Sequence, residues 1–280
     1  MSFQIRPATR KELEIIVEWA AKEGWNPGLY DADAFYATDP KGFLLGFLDE
    51  QPIACISAVS YGPDFGFLGF YITKKEFRGQ GYGIQAWNKA RDYLKTQNIG
   101  LDGVVEQQEN YKKSGFDLAY NNARYQFNSR KLRQIDPNIV PANRVTFDDL
   151  NQYDNQFFPV DRKKFLSQWI KQPESTALVY ITNDQIYGYG MIRKCRVGYK
   201  IGPLFADNFE IAGKLFKALV SSIEENAPVF LDIPEINQNA VTLVGLQKME
   251  KVFATARMYT KKIPELPTDR IYGVTTFELG

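Results

Sequence analysis

The sequence predicts an α+β protein made of two copies of one fold, each a mixed, mostly antiparallel sheet flanked by helices. Three observations support this. Strand-like and helical segments of the first half follow the order βααβββαβαββ, which is not an alternating βαβ repeat. The second half repeats this order of elements, with only faint similarity between residues. The length of 280 residues suits two domains of ordinary size.

Composition indicates a soluble globular protein. Hydrophobic residues make up 44% of the chain and charged residues 24%. The net charge of +1 gives no global field that favours nucleic acid or an anionic membrane as a partner. No apolar stretch is long enough to span a bilayer, and the first residues resemble a strand more than a signal peptide. We therefore expect a cytoplasmic protein without a nucleic-acid or membrane partner, with monomer and homodimer both open.

The sequence contains no histidine and two cysteines. Ser-His-Asp and Cys-His catalysis are therefore excluded, as are histidine zinc sites. Cys55 and Cys195 lie in apolar stretches, which indicates buried free thiols and no disulfide. We expect no metal, and we expect the chemistry to depend on carboxylates, tyrosine, lysine, main-chain groups or water.

The first half begins with a strand at 3–7, two helices and a hairpin. Thr9 and Glu12 form a capping box ahead of the first helix. Its apolar residues recur at helical spacing: Leu13, Ile16, Val17 and Ala20. Gly24 ends this helix, and a turn leads to a short second helix through 34–36. Strands at 43–47 and 53–60 flank the hairpin turn.

A glycine-rich loop, 78–83, joins a strand to an amphipathic helix. The strand at 65–73 is aromatic and β-branched, and the helix from 83 to about 97 has an apolar stripe. Main-chain N–H groups without Cβ atoms, at a helix N-terminus, can bind an anion. The loop matches neither the dinucleotide fingerprint nor a Walker loop. A simple turn is the competing interpretation.

The remaining elements define the domain boundaries. A short strand at 101–105, a helix to Lys113, and strands at 118–120 and 125–127 complete the first domain, 1–128. The segment 129–142 is polar, contains Pro137 and Pro141 and is predicted to be a linker. In the second domain, 143–280, we predict a helix at 165–170, a hairpin at 177–182 and 186–194, and a strand at 198–205. A helix capped by Asn208 and a strand at 229–233 follow.

The loop resembles the acetyl-CoA motif of the GCN5-related N-acetyltransferases (GNAT), because Arg78, Gly81 and Gly83 fit Arg/Gln-x-x-Gly-x-Gly/Ala. The resemblance implies that the loop holds the acetyl-CoA pyrophosphate through Arg78, Gly79, Gln80, Gly81, Tyr82 and Gly83. It also implies that the preceding strand serves the pantetheine and the acetyl carbonyl through Tyr71, Ile72 and Thr73. Further segments resemble bacterial tandem GNAT proteins: 23–28, 202–207, 232–235, 257–259 and 271–273.

The implied activity is transfer of an acetyl group from acetyl-CoA to a primary amine of a small molecule, by direct attack in a ternary complex. Tyr111 matches the family's Tyr-x-x-x-Gly-Phe and would face the CoA sulfur as a proton donor. A tyrosine that only packs on the core is the alternative. The glutamate that some members carry on the strand before the loop is missing here. Glu106 is then the candidate base, with Glu109 or a water chain as alternatives.

By the same resemblance, the acceptor lies against the loop between the first two helices. Trp25 over a cationic amine, with Asn26 and either Asp31 or Asp33 nearby, would bind it. In the competing interpretation, Trp25 only packs beside the helix end at Gly24. Polar residues of the second half either reach the same cleft or only buttress their own domain: Asp232, Glu235, Asn237, Arg257 and Tyr259.

The second copy has no glycine-rich loop, and Asp207 stands where phosphate oxygens would lie. We therefore expect one donor site and a degenerate second domain. A non-catalytic acyl-CoA-binding sensor is the alternative from another class. A transferase that uses aminoacyl-tRNA is disfavoured by the near-neutral charge.

Overall fold

A computed structural model describes residues 2–131 and 136–280 and has the α+β architecture that the sequence predicts. In these residues the strands are Phe3–Pro7 (β1), Phe43–Leu48 (β2), Gln51–Ser60 (β3), Phe65–Thr73 (β4), Asn98–Val104 (β5), Asp117–Asn128 (β6), Ile139–Pro141 (β7), Ser175–Thr182 (β8), Gln185–Lys194 (β9), Tyr199–Ala206 (β10), Pro228–Pro234 (β11), Glu250–Tyr259 (β12) and Ile271–Gly273 (β13). The helices are Arg10–Lys22 (α1), Asp31–Thr38 (α2), Tyr82–Tyr93 (α3), Gln108–Lys113 (α4), Phe147–Asp154 (α5), Lys163–Trp169 (α6), Phe209–Ser221 (α7) and Gln238–Leu246 (α8).

Local signals account for the first helices. The Thr9 side chain accepts a hydrogen bond from the Glu12 N–H, and the Glu12 carboxylate accepts one from the Thr9 N–H. The predicted apolar face of α1 is buried, and it packs in one cluster with Phe35 of α2. The Phe35 ring also stacks on Trp169 of α6, with ring centroids 6.0 Å apart. Helices of the two halves therefore share one core.

The strands form one continuous sheet in which the halves exchange their sixth strands. The order is β1-β2-β3-β4-β5-β12-β6-β11-β10-β9-β8-β7, and β13 pairs with β10. Strand β12 of the second half lies between β5 and β6 of the first half. Strand β6 in turn pairs with β11 of the second half. The boundaries in sequence thus differ from the boundaries in space, because each half is completed by a strand of the other.

Two predictions for the middle of the chain need correction. The short strands expected at 118–120 and 125–127 are one strand, β6, whose 12 residues pair with β12 on one side and β11 on the other. Part of the predicted linker, Ile139–Pro141, is strand β7 and pairs with β8. Residues 132–135 of that linker lie outside the described residues. Helices α5 and α8 and strands β12 and β13 are further elements that the sequence patterns do not predict.

Both halves contain a pair of parallel strands that separates partway along. Strands β4 and β5 pair from Phe65 to Leu68, and beyond this point a cleft opens. Strands β10 and β11 pair at 199–201. In the second half, β13 fills the space against β10, and the Val274 N–H donates to the Asp232 carbonyl over 2.8 Å. The chain itself therefore occupies the second cleft.

Three buried ion pairs join the halves. Arg124 is bidentate to Asp232, Arg193 pairs with Asp31, and Arg257 is bidentate to Asp102, with the shortest N–O distance in each pair 2.6–2.8 Å. In each pair, one side chain belongs to the first half and the other to the second half. Such pairs contribute little more to stability than an apolar contact would. Loss of one partner is costly, however, because it leaves a buried charge without a partner. They therefore favour this particular docking of the halves.

The remaining expectations concern thiols and membranes. Cys55 and Cys195 are buried and free, as predicted, and burial raises the pKa of both thiols. No helix within residues 2–131 and 136–280 is long and apolar enough to cross a membrane.

Candidate active site

A cavity of about 780 Å³ opens where β4 and β5 separate. This is an ordinary volume for a small-molecule site. One end lies at the glycine-rich loop, and the middle is bounded by β4, β5 and α4. At the other end, the second half contributes Phe253, Thr255, Phe277 and Glu278. The cavity is therefore built by both halves.

The loop presents main-chain groups to the cavity. Gly79 and Gly81 have φ angles of 75° and 83°, in the left-handed region that favours glycine. A Cβ at either position would meet nothing within 4 Å, so backbone conformation and not space explains the glycines. No side chain caps α3, which leaves the first N–H groups of a 12-residue helix available. These features fit a phosphate group of an acyl-CoA.

Some side chains of the loop are engaged elsewhere. The Arg78 guanidinium donates to the Thr73 carbonyl over 2.8 Å and to Glu23 over 2.7 Å. Gln80 donates to the Glu76 carbonyl, and the Tyr82 ring packs on Phe3. Of the predicted loop residues, the structure brings Arg78, Gly79, Gly81 and Gly83 to the cavity wall. Gln80 and Tyr82 are not among the residues that line it.

A bulge in β4 shapes the middle of the cavity. Phe70 has a φ of 48°, and the pairing with β3 shifts between Cys55 and Ser57. The Cys55 thiol donates to the Phe70 carbonyl over 3.1 Å and so supports this conformation. Beyond the bulge, the predicted residues 71–73 line the cavity.

Tyr111 lies on the cavity wall. Its ring stacks on Trp87, with centroids 5.7 Å apart, and covers Gly103, where a Cβ would collide with it. Burial, with a smaller contribution from Tyr71, raises the pKa of Tyr111 to about 12. The hydroxyl is therefore protonated at neutral pH and can act as a hydrogen-bond donor.

Glu106 is not where the sequence analysis expects it. It is exposed in a short 3₁₀ turn, Val105–Gln107. Its neighbour Gln107 lines the cavity, whereas Glu106 is absent from the described residues that do so. Glu109 is also exposed and pairs with Lys112 over 2.7 Å. The turn thus directs the Glu106 side chain to solvent.

The residues predicted to bind the acceptor divide into two groups. Trp25 lines the cavity, and its carbonyl accepts hydrogen bonds from Arg124 and Lys200. Asp31 is fully buried and binds the Gly28 N–H, in addition to its pair with Arg193.

Asn26 joins the halves as well, because its side chain bonds both the N–H and the carbonyl of Val197, each over 2.9 Å. Asn26 and Asp31 therefore hold the interface and do not line the cavity.

Sequence reasoning missed the contribution of the segment 274–280. This segment is buried throughout. It continues from β13 to the first half, where the Tyr61 hydroxyl donates to the Leu279 carbonyl over 3.0 Å. Gly69 of β4 has no room for a Cβ because the Glu278 carbonyl oxygen packs on it. No local pattern indicates this contact, although the motif at 271–273 marks where the crossing begins.

The corresponding junction in the second half cannot bind an anion in the same way. Asn208 caps α7 through its side chain. Asp207 is engaged by Tyr153 over 2.8 Å and by Arg270. Together with β13 in the adjacent cleft, these contacts occupy the polar groups at this junction. Among residues 2–131 and 136–280, no three acidic or thiol side chains cluster as a metal site would require.

Comparison with known proteins agrees with this architecture. A model of the acetyltransferase (GNAT) family matches residues 10–116, and a model of an acetyltransferase (GNAT) domain matches residues 150–273. Holothin acyltransferase of a Pseudoalteromonas species is 31% identical over 98% of this chain and 94% of its own. An uncharacterised N-acetyltransferase of Bacillus subtilis, YitH, is 24% identical over 81% of each chain.

Solved structures show the same fold. A proposed acetyltransferase of Pyrococcus horikoshii superposes with a TM-score of 0.84 at 23% identity, over 99% of this chain and 96% of the other. A tandem GNAT protein from the clavulanic acid biosynthesis pathway has a TM-score of 0.65 at 10% identity, over 94% of this chain and 100% of the other. The chain belongs to the GNAT acyltransferase family, as a tandem protein with two GNAT domains.

Proposed function

We propose that the protein is an acetyl-CoA-dependent N-acetyltransferase that acts on a primary amine of a small molecule by direct attack in a ternary complex. One observation carries the proposal. A single cavity connects the glycine-rich loop, Tyr111 and the end formed by the second half. Donor and acceptor can therefore be bound together, as direct transfer requires.

The residues of the chain have distinct roles in this proposal. Acetyl-CoA, when bound, supplies an acyl group activated as a thioester. The main-chain N–H groups of the loop bind its phosphates, and residues 71–73 align the acyl end through their main chain. A main-chain N–H near Ile72 stabilises the carbonyl oxygen as it becomes negative. Tyr111 donates a hydrogen bond to the departing sulfur.

The acceptor end supports a small amine more than a macromolecule. Trp25, Phe253 and Phe277 give it aromatic walls, and the cavity volume matches a small molecule bound beside the acyl end of the donor. A relative at 31% identity is named for holothin as its acceptor, so holothin belongs among the first acceptors to examine.

The proposal is tested by incubating the protein with acetyl-CoA and a panel of amines, holothin included, and measuring CoA release. A parallel titration measures acetyl-CoA binding. We expect micromolar to millimolar binding of acetyl-CoA and amine-dependent CoA release. Tight binding with no release from any amine would support a sensor instead. Comparison of acetyl-CoA with longer acyl-CoA molecules in the same assay measures the acyl preference.

A further inference from the structure

We propose that Glu278, in the segment contributed by the second half, is the acceptor-side carboxylate: it binds the amine and accepts its proton. The inference rests on the proposed function and assigns the base that the first half lacks. It also defines an acceptor site for a primary amine carried by a flat, apolar small molecule.

Glu278 lies beside the middle of β4. The stretch 68–70 of this strand contains no glutamate. At its centre, Gly69 leaves the space into which the Glu278 carbonyl packs. A side chain at position 69 would displace this segment. The segment therefore brings a carboxylate to the part of the strand that has none of its own.

The Glu278 carboxylate is buried but only half satisfied. The residue is 4% exposed, yet it contributes to the cavity wall. Its Oε2 accepts a hydrogen bond from the Thr276 hydroxyl, which fixes the orientation of the side chain. Within the described part of the chain, Oε1 accepts no hydrogen bond. It is also not one of the fully buried unpartnered atoms, so it remains accessible. That oxygen is available to a ligand in the cavity.

Glu278 belongs to a buried cluster of charged side chains. Glu278 interacts electrostatically with the buried cations Arg124, Arg193 and Lys200. Asp232 and Asp31 pair with the two arginines, so Glu278 supplies the third negative charge of a cluster with three positive charges. Burial, followed by Arg124, lowers the pKa of Lys200, and Glu278 opposes this shift.

The other acidic side chains of the cavity wall are already committed. Glu23 pairs with Arg78, and Asp102 pairs with Arg257. Among the described acidic residues of the wall, Glu278 alone has no arginine in a salt bridge. A polyamine would therefore bury further charges without partners, which is costly. Phe253 and Phe277, whose ring centroids lie 6.4 Å apart, instead form an aromatic wall against which a flat, apolar body can pack.

In the proposed step, the amine nitrogen forms a bond to the acyl carbon, and the bond between that carbon and sulfur breaks. The amine enters this step as the neutral base, after its ammonium form has lost a proton to solvent, and Glu278 Oε1 accepts the second proton, which the nitrogen loses as the amide forms. Tyr111 retains its own proton and donates a hydrogen bond to the sulfur. The sulfur then takes a proton from solvent and Glu278 returns one, so the protein ends each turnover unchanged.

The test compares wild type, Glu278→Gln and Glu278→Asp, with tryptamine as the flat amine and spermidine as the polyamine. Calorimetry measures amine binding, and CoA release gives kcat and KM. For Glu278→Gln we expect about 10-fold weaker tryptamine binding and about 100-fold lower kcat/KM, with unchanged acetyl-CoA affinity. Glu278→Asp keeps a carboxylate and should recover part of both. Wild type should prefer tryptamine to spermidine.

A matched control separates chemistry from folding. Glu250→Gln removes an exposed carboxylate from β12 of the same half and should change nothing. If Glu278→Gln lowers acetyl-CoA affinity and the melting temperature together with activity, a structural role explains the loss and the inference is wrong.

Two further outcomes would also overturn the assignment. The first is a kcat/KM of Glu278→Gln equal to that of wild type. The second is that wild type binds tryptamine no more tightly than Glu278→Gln does. The binding result tests the assignment of Glu278 even if wild type releases no CoA. Absence of CoA release would instead contradict the proposed acetyl transfer.

Discussion

At the scale of single residues, the surroundings of Tyr111 determine what its hydroxyl can do. The pKa of about 12 lies well above the value of about 8.5 for an ordinary thiol. Complete proton transfer from this hydroxyl to a thiolate is therefore uphill by several kcal/mol, since each pKa unit is about 1.4 kcal/mol. Stabilisation of the departing sulfur by a hydrogen bond needs no such transfer. The high pKa makes Tyr111 a persistent donor.

Tyr111→Phe is predicted to lower kcat about 100-fold and to leave acetyl-CoA affinity unchanged, because the ring still stacks on Trp87. In wild type, the contribution of the Tyr111 hydroxyl to kcat should persist to about pH 10. This hydroxyl loses its proton only as the pH approaches its raised pKa. Steady-state kinetics and a binding titration measure both effects. Tyr93→Phe, whose hydroxyl bonds Asp39, serves as the control. Wild-type kcat in Tyr111→Phe would rule out the donor role.

The residues that sequence reasoning located are those whose positions follow from local structure. Tyr111 is placed by its distance from Gly115, and the loop by its glycines. Asp31 has an equally simple local setting, at the start of a helix, but a distant arginine, Arg193, determines its role. Glu278 lies more than 200 residues from Gly69 in the sequence. No periodicity encodes a contact of that kind.

At the scale of elements, the loop before α3 depends on two left-handed glycines. Because a Cβ at Gly81 would have free space, Gly81→Ala tests the backbone alone. An alanine in this conformation costs about 1–2 kcal/mol. The loop can avoid that cost by changing its φ angle, which would turn the N–H groups away from a bound phosphate.

We predict that Gly81→Ala weakens acetyl-CoA binding about 10-fold, since a cost of about 1.4 kcal/mol corresponds to that factor. Gly62→Ala is the matched control, because Gly62 also has a positive φ and open space but does not line the cavity. Calorimetry with acetyl-CoA compares the two variants, and thermal melting reports their stability. Equal acetyl-CoA affinity in both variants would show that the loop conformation does not control donor binding.

Local patterns predicted most individual elements but not their partners. The capping box, both hairpins and the strand before the loop follow from spacing and turn residues. Asn121, Asn122 and Arg124 interrupt the apolar pattern of β6, so the local pattern predicts two short strands in its place. Those polar residues are explained by the neighbouring strands, since Arg124 meets Asp232 and Asn122 donates to Asp102. The polar residues in the middle of β6 are therefore explained by its pairing with strands that are distant in sequence.

At the scale of the whole molecule, the second domain serves the first directly. It fills its own cleft with β13, contributes β12 to the sheet and brings the segment 274–280 to the cavity. Neither half has a complete sheet without the other, because β12 lies beside β5 and β6 lies beside β11. The tandem arrangement is therefore part of the active-site architecture and not only a duplication.

This exchange predicts that residues 1–128 do not fold alone. The fragment would lose β12 and leave Asp102 and Arg124 without their partners. Each broken buried pair costs about 3–5 kcal/mol, against a total stability of about 5–15 kcal/mol for a domain. If β6 moved beside β5, it would still present an open edge in place of β11.

Co-expression of residues 1–128 with 129–280 should restore the fold, because the second fragment supplies both missing neighbours of β6. We expect a 1:1 complex that melts cooperatively and binds acetyl-CoA, whereas the first fragment alone should be aggregated or unfolded. Size-exclusion chromatography, circular dichroism and calorimetry measure these properties. A cooperative, monomeric melt of residues 1–128 alone, with acetyl-CoA affinity near that of the full chain, would show that the first domain completes its own sheet. The exchanged strands would then stabilise the pair of domains without being required for either one.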